Sequence, residues 1–170
     1  MMGRSALVLL AASVVAPMLA SPLRAQVHWP HGKPHAPLLA LAINDLSFGT
    51  VLPGIPSSVS VHDPRHAGLF EIQGSPGTVV RIEFVVPAAL TSEQGALMPI
   101  SFGPGDGFTD FSRGRARRGR FFDPHRPVVQ FLGPNGRLYV RIGGTVRPQR
   151  PQASGTYTAT IALTIYSLGS

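Results

Sequence analysis

The sequence predicts an all-β protein, an antiparallel β-sandwich built from seven to eight short strands. Three observations carry this. Short apolar stretches recur along the chain between Gly, Pro, Asn and Ser, with no segment of helical period to compete. Several of these stretches alternate strictly between apolar and polar residues, as half-buried strands do. Finally, 19 Gly and 17 Pro among 170 residues supply many turns, while a 44% hydrophobic content and a mean hydropathy of +0.16 exclude a disordered chain. A chain of this length makes one domain.

The first element is not part of that fold. Met1 to Ala25 reads as a secretory signal peptide: Arg4 supplies the basic start, Ala6 to Ala16 is apolar apart from Ser13, and Pro17 ends the run. The run falls short of the about 20 apolar residues a membrane span needs. Cleavage is placed after Ala25, with Ala20 as the alternative. The expected product is an exported protein without a transmembrane anchor, residing in the periplasm, at the cell surface or outside the cell. The formal charge of +7 includes Arg4 and Arg24, so the mature chain carries about +5 and is moderately basic.

Residues 26–37 contain VHWPHGKPHAP, a Pro- and His-rich tail without periodicity. The sandwich domain is expected over 38–170. Its first strand is placed from Leu38 to Val51, broken near Asn44 and Asp45, followed by Ser58–His62, Leu69–Gln73 and Thr78–Val86. In the last of these Val80, Ile82, Phe84 and Val86 share the buried face, with Arg81 and Glu83 outside. Leu97–Phe102 and Val128–Leu132 come next. A Pro134-Asn135-Gly136 turn then leads into Arg137–Val146, with Leu138, Val140 and Ile142 inward and Arg137, Tyr139 and Arg141 outward. Gly143-Gly144 marks a bulge or a close backbone approach. In the closing strand, Thr156–Tyr166, Tyr157, Ala159, Ile161, Leu163 and Ile165 form one apolar face opposite a Thr-rich one. Residues 103–127 interrupt the pattern as a long basic loop.

Leu46-Ser47-Phe48-Gly49-Thr50-Val51, Phe70-Glu71-Ile72-Gln73-Gly74-Ser75-Pro76-Gly77, Ile142-Gly143-Gly144-Thr145-Val146 and Gly155-Thr156-Tyr157-Thr158-Ala159-Thr160 occur in this order. As a set they resemble the bacterial secreted family catalogued as domain of unknown function 4402, over roughly Leu41 to Tyr166. That family is similar to spore coat protein U and, remotely, to chaperone–usher fimbrial subunits. The resemblance implies an immunoglobulin-like sandwich at a cell surface, a structural or adhesive role, no enzymatic activity and no catalytic residues. It also implies partners: further subunits or other envelope proteins. Two departures matter. Fimbrial subunits carry a disulfide, and this chain has no Cys. Those subunits also lend an alternating apolar N-terminal extension to a neighbour, whereas Pro30, Pro34 and Pro37 prevent a regular ladder here. Leu38 to Ile43 could still serve, although the domain needs it as its own first strand.

The absence of Cys excludes disulfides, thiolate metal sites and cysteine nucleophiles. The most unusual local feature is Arg113, Arg115, Arg117, Arg118 and Arg120, with Arg126 just beyond, set among Phe108, Phe111, Phe121 and Phe122. Arginine forks bind phosphate, sulfate and carboxylate, so these six are the candidate polyanion-binding residues of a second reading: a soluble domain that binds anionic envelope polymers. For an exported protein nucleic acid is the less apt polyanion. The competing account is a solvated loop balanced by Asp106, Asp110 and Asp123, with its Phe residues tucked onto the sandwich. His28, His31 and His35 are the candidate metal ligands, and a free amine at Gln26 with His28 third could hold copper(II) or nickel(II). A mobile Pro-rich tail needs no metal to account for it. His62, Asp63 and His66 lie close in sequence but at a Pro64 turn, and Glu71 and Glu83 are expected on outward strand faces. No nucleophile elbow, zinc-protease or phosphate-loop motif occurs, and no cofactor is implied.

Overall fold

The computed structural model describes residues 36–114 and 119–169, and these contain strands and turns but no helix. The strands are β1 (Leu39–Asn44), β2 (Ser57–Val59), β3 (Gly68–Gln73), β4 (Val79–Val85), β5 (Ala89–Ser92), β6 (Leu97–Ser101), β7 (Gly107–Asp110), β8 (Arg120–Phe122), β9 (Val128–Phe131), β10 (Arg137–Ile142), β11 (Gly144–Val146), β12 (Tyr157–Thr158) and β13 (Ala162–Gly169). They form three antiparallel sheets, ordered β1-β3-β10-β7-β8, β12-β5-β6-β11-β2 and β13-β4-β9. The fold is an all-β sandwich. The leader, most of the tail, and Arg115, Arg117 and Arg118 lie outside the described residues.

The core is the meeting of alternating faces. Ile72 of β3, Leu138, Val140 and Ile142 of β10, and Phe122 of β8 come from the first sheet; Val80, Ile82 and Val128 come from the third; Met98, Ile100 and Val146 come from the second. Val80, Ile82, Val140 and Ile142 are wholly buried, as their period-2 spacing requires. The Pro134-Asn135-Gly136 turn forms as expected, with Gly136 at φ 70° and its N–H bonded to the Gly133 carbonyl at 2.8 Å.

Thirteen strands replace the expected seven to eight for an identifiable reason. Long predicted strands change sheet partway along. Arg137–Val146 is β10 in one sheet and β11 in another, divided at Gly143, where a Cβ would press into the Val59 carbonyl and the Val61 nitrogen. The closing strand divides in the same manner into β12 and β13. The basic loop is also not all loop: β7 and β8 lie within 103–127, pairing Phe108 with Phe121, and β5 forms at Ala89–Ser92, outside the expected strands. Leu46–Val51, expected to continue the first strand, forms no strand.

The outward residues of β10 require a further correction. Tyr139 and Arg141 are each only 5% exposed, and Glu71 3%. Alternation places them on the outer face correctly, but that face is covered rather than open to water.

Candidate functional site

Two regions stand apart from the closed core. The first is a groove of about 870 Å³ between the chain that follows β1 and the chain around β12. One wall begins where Asn44 ends β1, its Nδ2 donating to the Ala67 carbonyl at 2.9 Å and tying the chain to the turn before β3. Beyond it Leu46, Phe48 and Val51 lean on the core without joining a sheet. The opposite wall is Thr156–Ile161. There the Tyr157 hydroxyl accepts from Gln152 Nε2 at 2.7 Å and donates to the Ala153 carbonyl at 2.6 Å, fixing the bend that delivers β12 to β5. Phe70, Leu90, Met98, Ile100 and Val146 form the floor.

This groove has a consistent chemistry. Its lining is aliphatic, aromatic and hydroxyl-bearing, with Asp45 as the one charged side chain among the described lining residues. Leu46, Phe48, Val51, Phe70, Leu90 and Ile161 are only partly buried, and fully burying such a side chain stabilises by about 1.5–3 kcal/mol. β12 and β13 are terminal strands of their sheets, and 45–56 has no ladder, its Ser47 N–H donating to the His66 carbonyl and its Gly54 N–H to the Pro148 carbonyl. An extended segment answers both features at once: its side chains meet the floor on one face and its backbone extends a terminal strand.

The second region is the basic loop. Arg141 reaches from β10 across the outer face, its Nη2 donating to the Arg113 carbonyl at 2.8 Å and the Gly114 carbonyl at 2.6 Å. Burial pushes its guanidinium below the ordinary arginine value, against the opposing pull of the Asp110 carboxylate. At the loop's return Gly119 is pressed against the Thr109 carbonyl and the Phe108 ring, leaving no room for a side chain. Phe108 and Phe121 stack edge to face at 4.9 Å, with His62 5.1 Å from Phe108. Phe108 and Phe122 are buried, as the solvated-loop account expects, whereas Phe121 and Phe111 remain 52% and 37% exposed, and Arg141 holds the described start of the loop.

Three of the six candidate arginines lie among the described residues. Arg113 is exposed where the loop leaves β7, Arg120 projects from β8 on the side opposite Phe121, and Arg126 lies past the next turn, 3.8 Å from Asp123. Arg115, Arg117 and Arg118 are outside the described residues. Arg141 is the residue that reading the sequence missed as a fastening point, because a lone arginine on a predicted outward face carries no signal of what crosses it.

The remaining candidates resolve simply. His28, His31 and His35 lie outside the described residues. Among those described, no group of three His, Asp or Glu side chains could hold a metal. The His62–His66 segment is a turn in which Asp63 accepts from the Arg65 and His66 N–H groups and meets His66 Nδ1 at 2.7 Å. Glu71 is on the outer face as expected but is buried there, paired with Arg137 Nη1 at 2.8 Å and with Gln73 Nε2 at 2.9 Å. No helix among the described residues is long and apolar enough to cross a membrane. Comparison of the chain with protein-family models, curated proteins and solved structures finds no match.

Proposed function

We propose that this chain is an exported structural or adhesive module at the cell surface, an immunoglobulin-like sandwich that joins other subunits in fimbria-like fashion and performs no catalysis. The observation that carries this is the groove between Leu46–Val51, which joins no sheet, and Thr156–Ile161, which holds the terminal strand β12, with an apolar floor between them. Small-molecule sites place a few convergent polar groups among apolar walls. Here the polar side chains, among them Ser47, Thr50, Thr158 and Thr160, are spread along both walls, and the terminal strands β12 and β13 are margins that a strand from another subunit would extend. The resemblance of the Leu46–Val51 and Gly155–Thr160 motifs to surface-protein families agrees, since these two motifs form the facing walls.

The test is a titration of the full chain with a synthetic ten-residue peptide that alternates Leu and Thr, against one of equal composition with the Leu residues in a block. Saturable binding and a raised Tm with the alternating peptide alone support the reading. Equal response to both peptides, or to neither, contradicts it.

A second reading, an anionic-polymer binder acting through the basic loop, is favoured by the fastening of Arg113 and Gly114 to Arg141, which holds the start of the cationic segment against a rigid sheet. Its mark would be binding of acidic polysaccharide that weakens steeply with salt.

A further inference from the structure

The third sheet has two margins. One is β13, beside the groove; the other is β9, on the far side of β4. The ladder between β4 and β9 fixes which main-chain groups of β9 are spare. Leu132 N–H donates to the Thr78 carbonyl at 2.9 Å while the Leu132 carbonyl accepts from Gly77 N–H at 3.0 Å, so the ladder ends in a bulge in which Gly77 and Thr78 together face Leu132. Counting back through the register from there, Val80 with Gln130 and Ile82 with Val128 are hydrogen-bonded pairs. The N–H and C=O groups of Val129 and Phe131 therefore point away from β4, past the last strand of the sheet.

The side chains of these same residues are on the outer face, each 51% exposed. The strand reads VVQF. It has no Lys, no Pro and no charge; of the devices by which sheet edges resist pairing it keeps its shortness, four residues, and a Phe111 ring 5.1 Å from Phe131. On the adjacent strand Arg81 and Glu83 neutralise each other at 2.6 Å, so two such edges would approach without like-charge repulsion.

We propose that β9 pairs antiparallel with β9 of a second copy of this chain, about a two-fold axis through Gln130. In an antiparallel pair, residues directly opposite share a face. Setting Gln130 against Gln130 places Val129 opposite Phe131 of the second copy, and Phe131 opposite its Val129. Those are the residues whose main-chain groups point outward, so both pairs exchange both of their N–H···O=C bonds. On the exposed face the same register makes two Val–Phe cross-strand contacts, each contributing roughly 0.2–1 kcal/mol. A one-residue slip would set outer-face side chains against inner-face ones and lose both. The contact is isologous, uses a margin distant from the groove in strand order, and does not depend on what the groove binds.

The absence of Cys gives a direct test. In this register the two Gln130 residues form a non-hydrogen-bonded pair with Cα atoms about 4.5 Å apart, within disulfide reach. The full-length Gln130→Cys and Val129→Cys variants would be compared under oxidised glutathione, which takes up the two electrons released as two thiols join. Cys at 130 is expected to form a disulfide dimer about tenfold or more faster than Cys at 129, because pairing holds only the former thiols at high effective concentration. A third variant, Val129→Pro in the otherwise unaltered chain, removes an N–H that β4 does not use. It should keep the unmodified Tm while losing concentration-dependent dimerisation in sedimentation equilibrium. Equal cross-linking at 129 and 130, or a folded Pro variant that dimerises as before, would overturn the proposal.

Discussion

Arg141 and Gly114 are joined across the outer face of the five-stranded sheet, Nη2 to carbonyl oxygen at 2.6 Å, and this contact turns an apparent surface loop into a fastened one. The same guanidinium leaves Nη1 buried without a hydrogen-bond partner among the described residues. Its two hydrogen bonds to the chain above both come from Nη2.

Replacing Arg141 by Gln should therefore release the loop. The shorter side chain leaves the Arg113 and Gly114 carbonyls without their charged donor, at a cost of about 1–3 kcal/mol. The checks are a lower urea midpoint and faster tryptic cleavage between residues 113 and 120. An unchanged cleavage rate would mean the loop is held by something else.

The Glu71–Arg137 pair gives a second test. Glu71 is 3% exposed and its Oε1 accepts from both Arg137 and Gln73, whereas Arg81–Glu83 lies on an open face. Removing one partner of a buried carboxylate costs more than breaking an exposed pair. Arg137→Ala should lower the urea midpoint more than Arg81→Ala does, and equal shifts would contradict this burial.

Gly143→Ala should destabilise by about 1–3 kcal/mol, as an added group that must displace packed backbone does. The new Cβ would meet the Val59 carbonyl, Val61 nitrogen and Ser60 carbonyl carbon. Gly105→Ala, where a Cβ meets nothing within 4 Å, is the control expected to change little. Thermal unfolding of both variants decides it.

Asp63 supplies a pH dependence. Hydrogen bonds from the Arg65 N–H, first, and then from the His66 ring hold its carboxyl below the ordinary value of 3.8. A depressed folded-state value means that the ionised form stabilises the folded turn. That contribution is complete above the ordinary value and is lost as pH falls through the lowered one. An NMR titration of the Asp63 carboxyl should give a midpoint below 3.8, and Asp63→Asn should remove this part of the acid sensitivity. A midpoint at or above 3.8 would contradict the geometry.

Strand alternation was sufficient for much of the fold. Val80 and Ile82, or Leu138, Val140 and Ile142, repeat at period 2 because the faces they occupy are fully dry. It failed where the environment changes within a segment. Arg137–Val146 keeps one rhythm while passing from one sheet to another, and Gly143 is the only local sign. Tyr139, Arg141 and Glu71 have the polarity of exposed residues, since alternation reports which face a side chain occupies but not what later crosses it. Leu46–Val51 has a strand's composition yet forms no ladder: it packs Leu46, Phe48 and Val51 on the core and keeps one backbone bond, from Ser47 N–H to the His66 carbonyl. β7 and β8 were hidden by the Gly-rich sequence around strands of four and three residues. The groove itself has no signature in the sequence beyond its two wall motifs, as it arises from sheet order.

The central claim, that the groove is a seat for a strand from another subunit, is tested most directly by light scattering coupled to size exclusion on residues 26–170, purified without any partner or chaperone. The account predicts ordered oligomers or aggregates larger than the β9-paired dimer, and a shift toward small species when the alternating peptide is added in excess. A folded species no larger than a dimer, indifferent to that peptide, would mean that the sandwich is complete in itself and would contradict the claim.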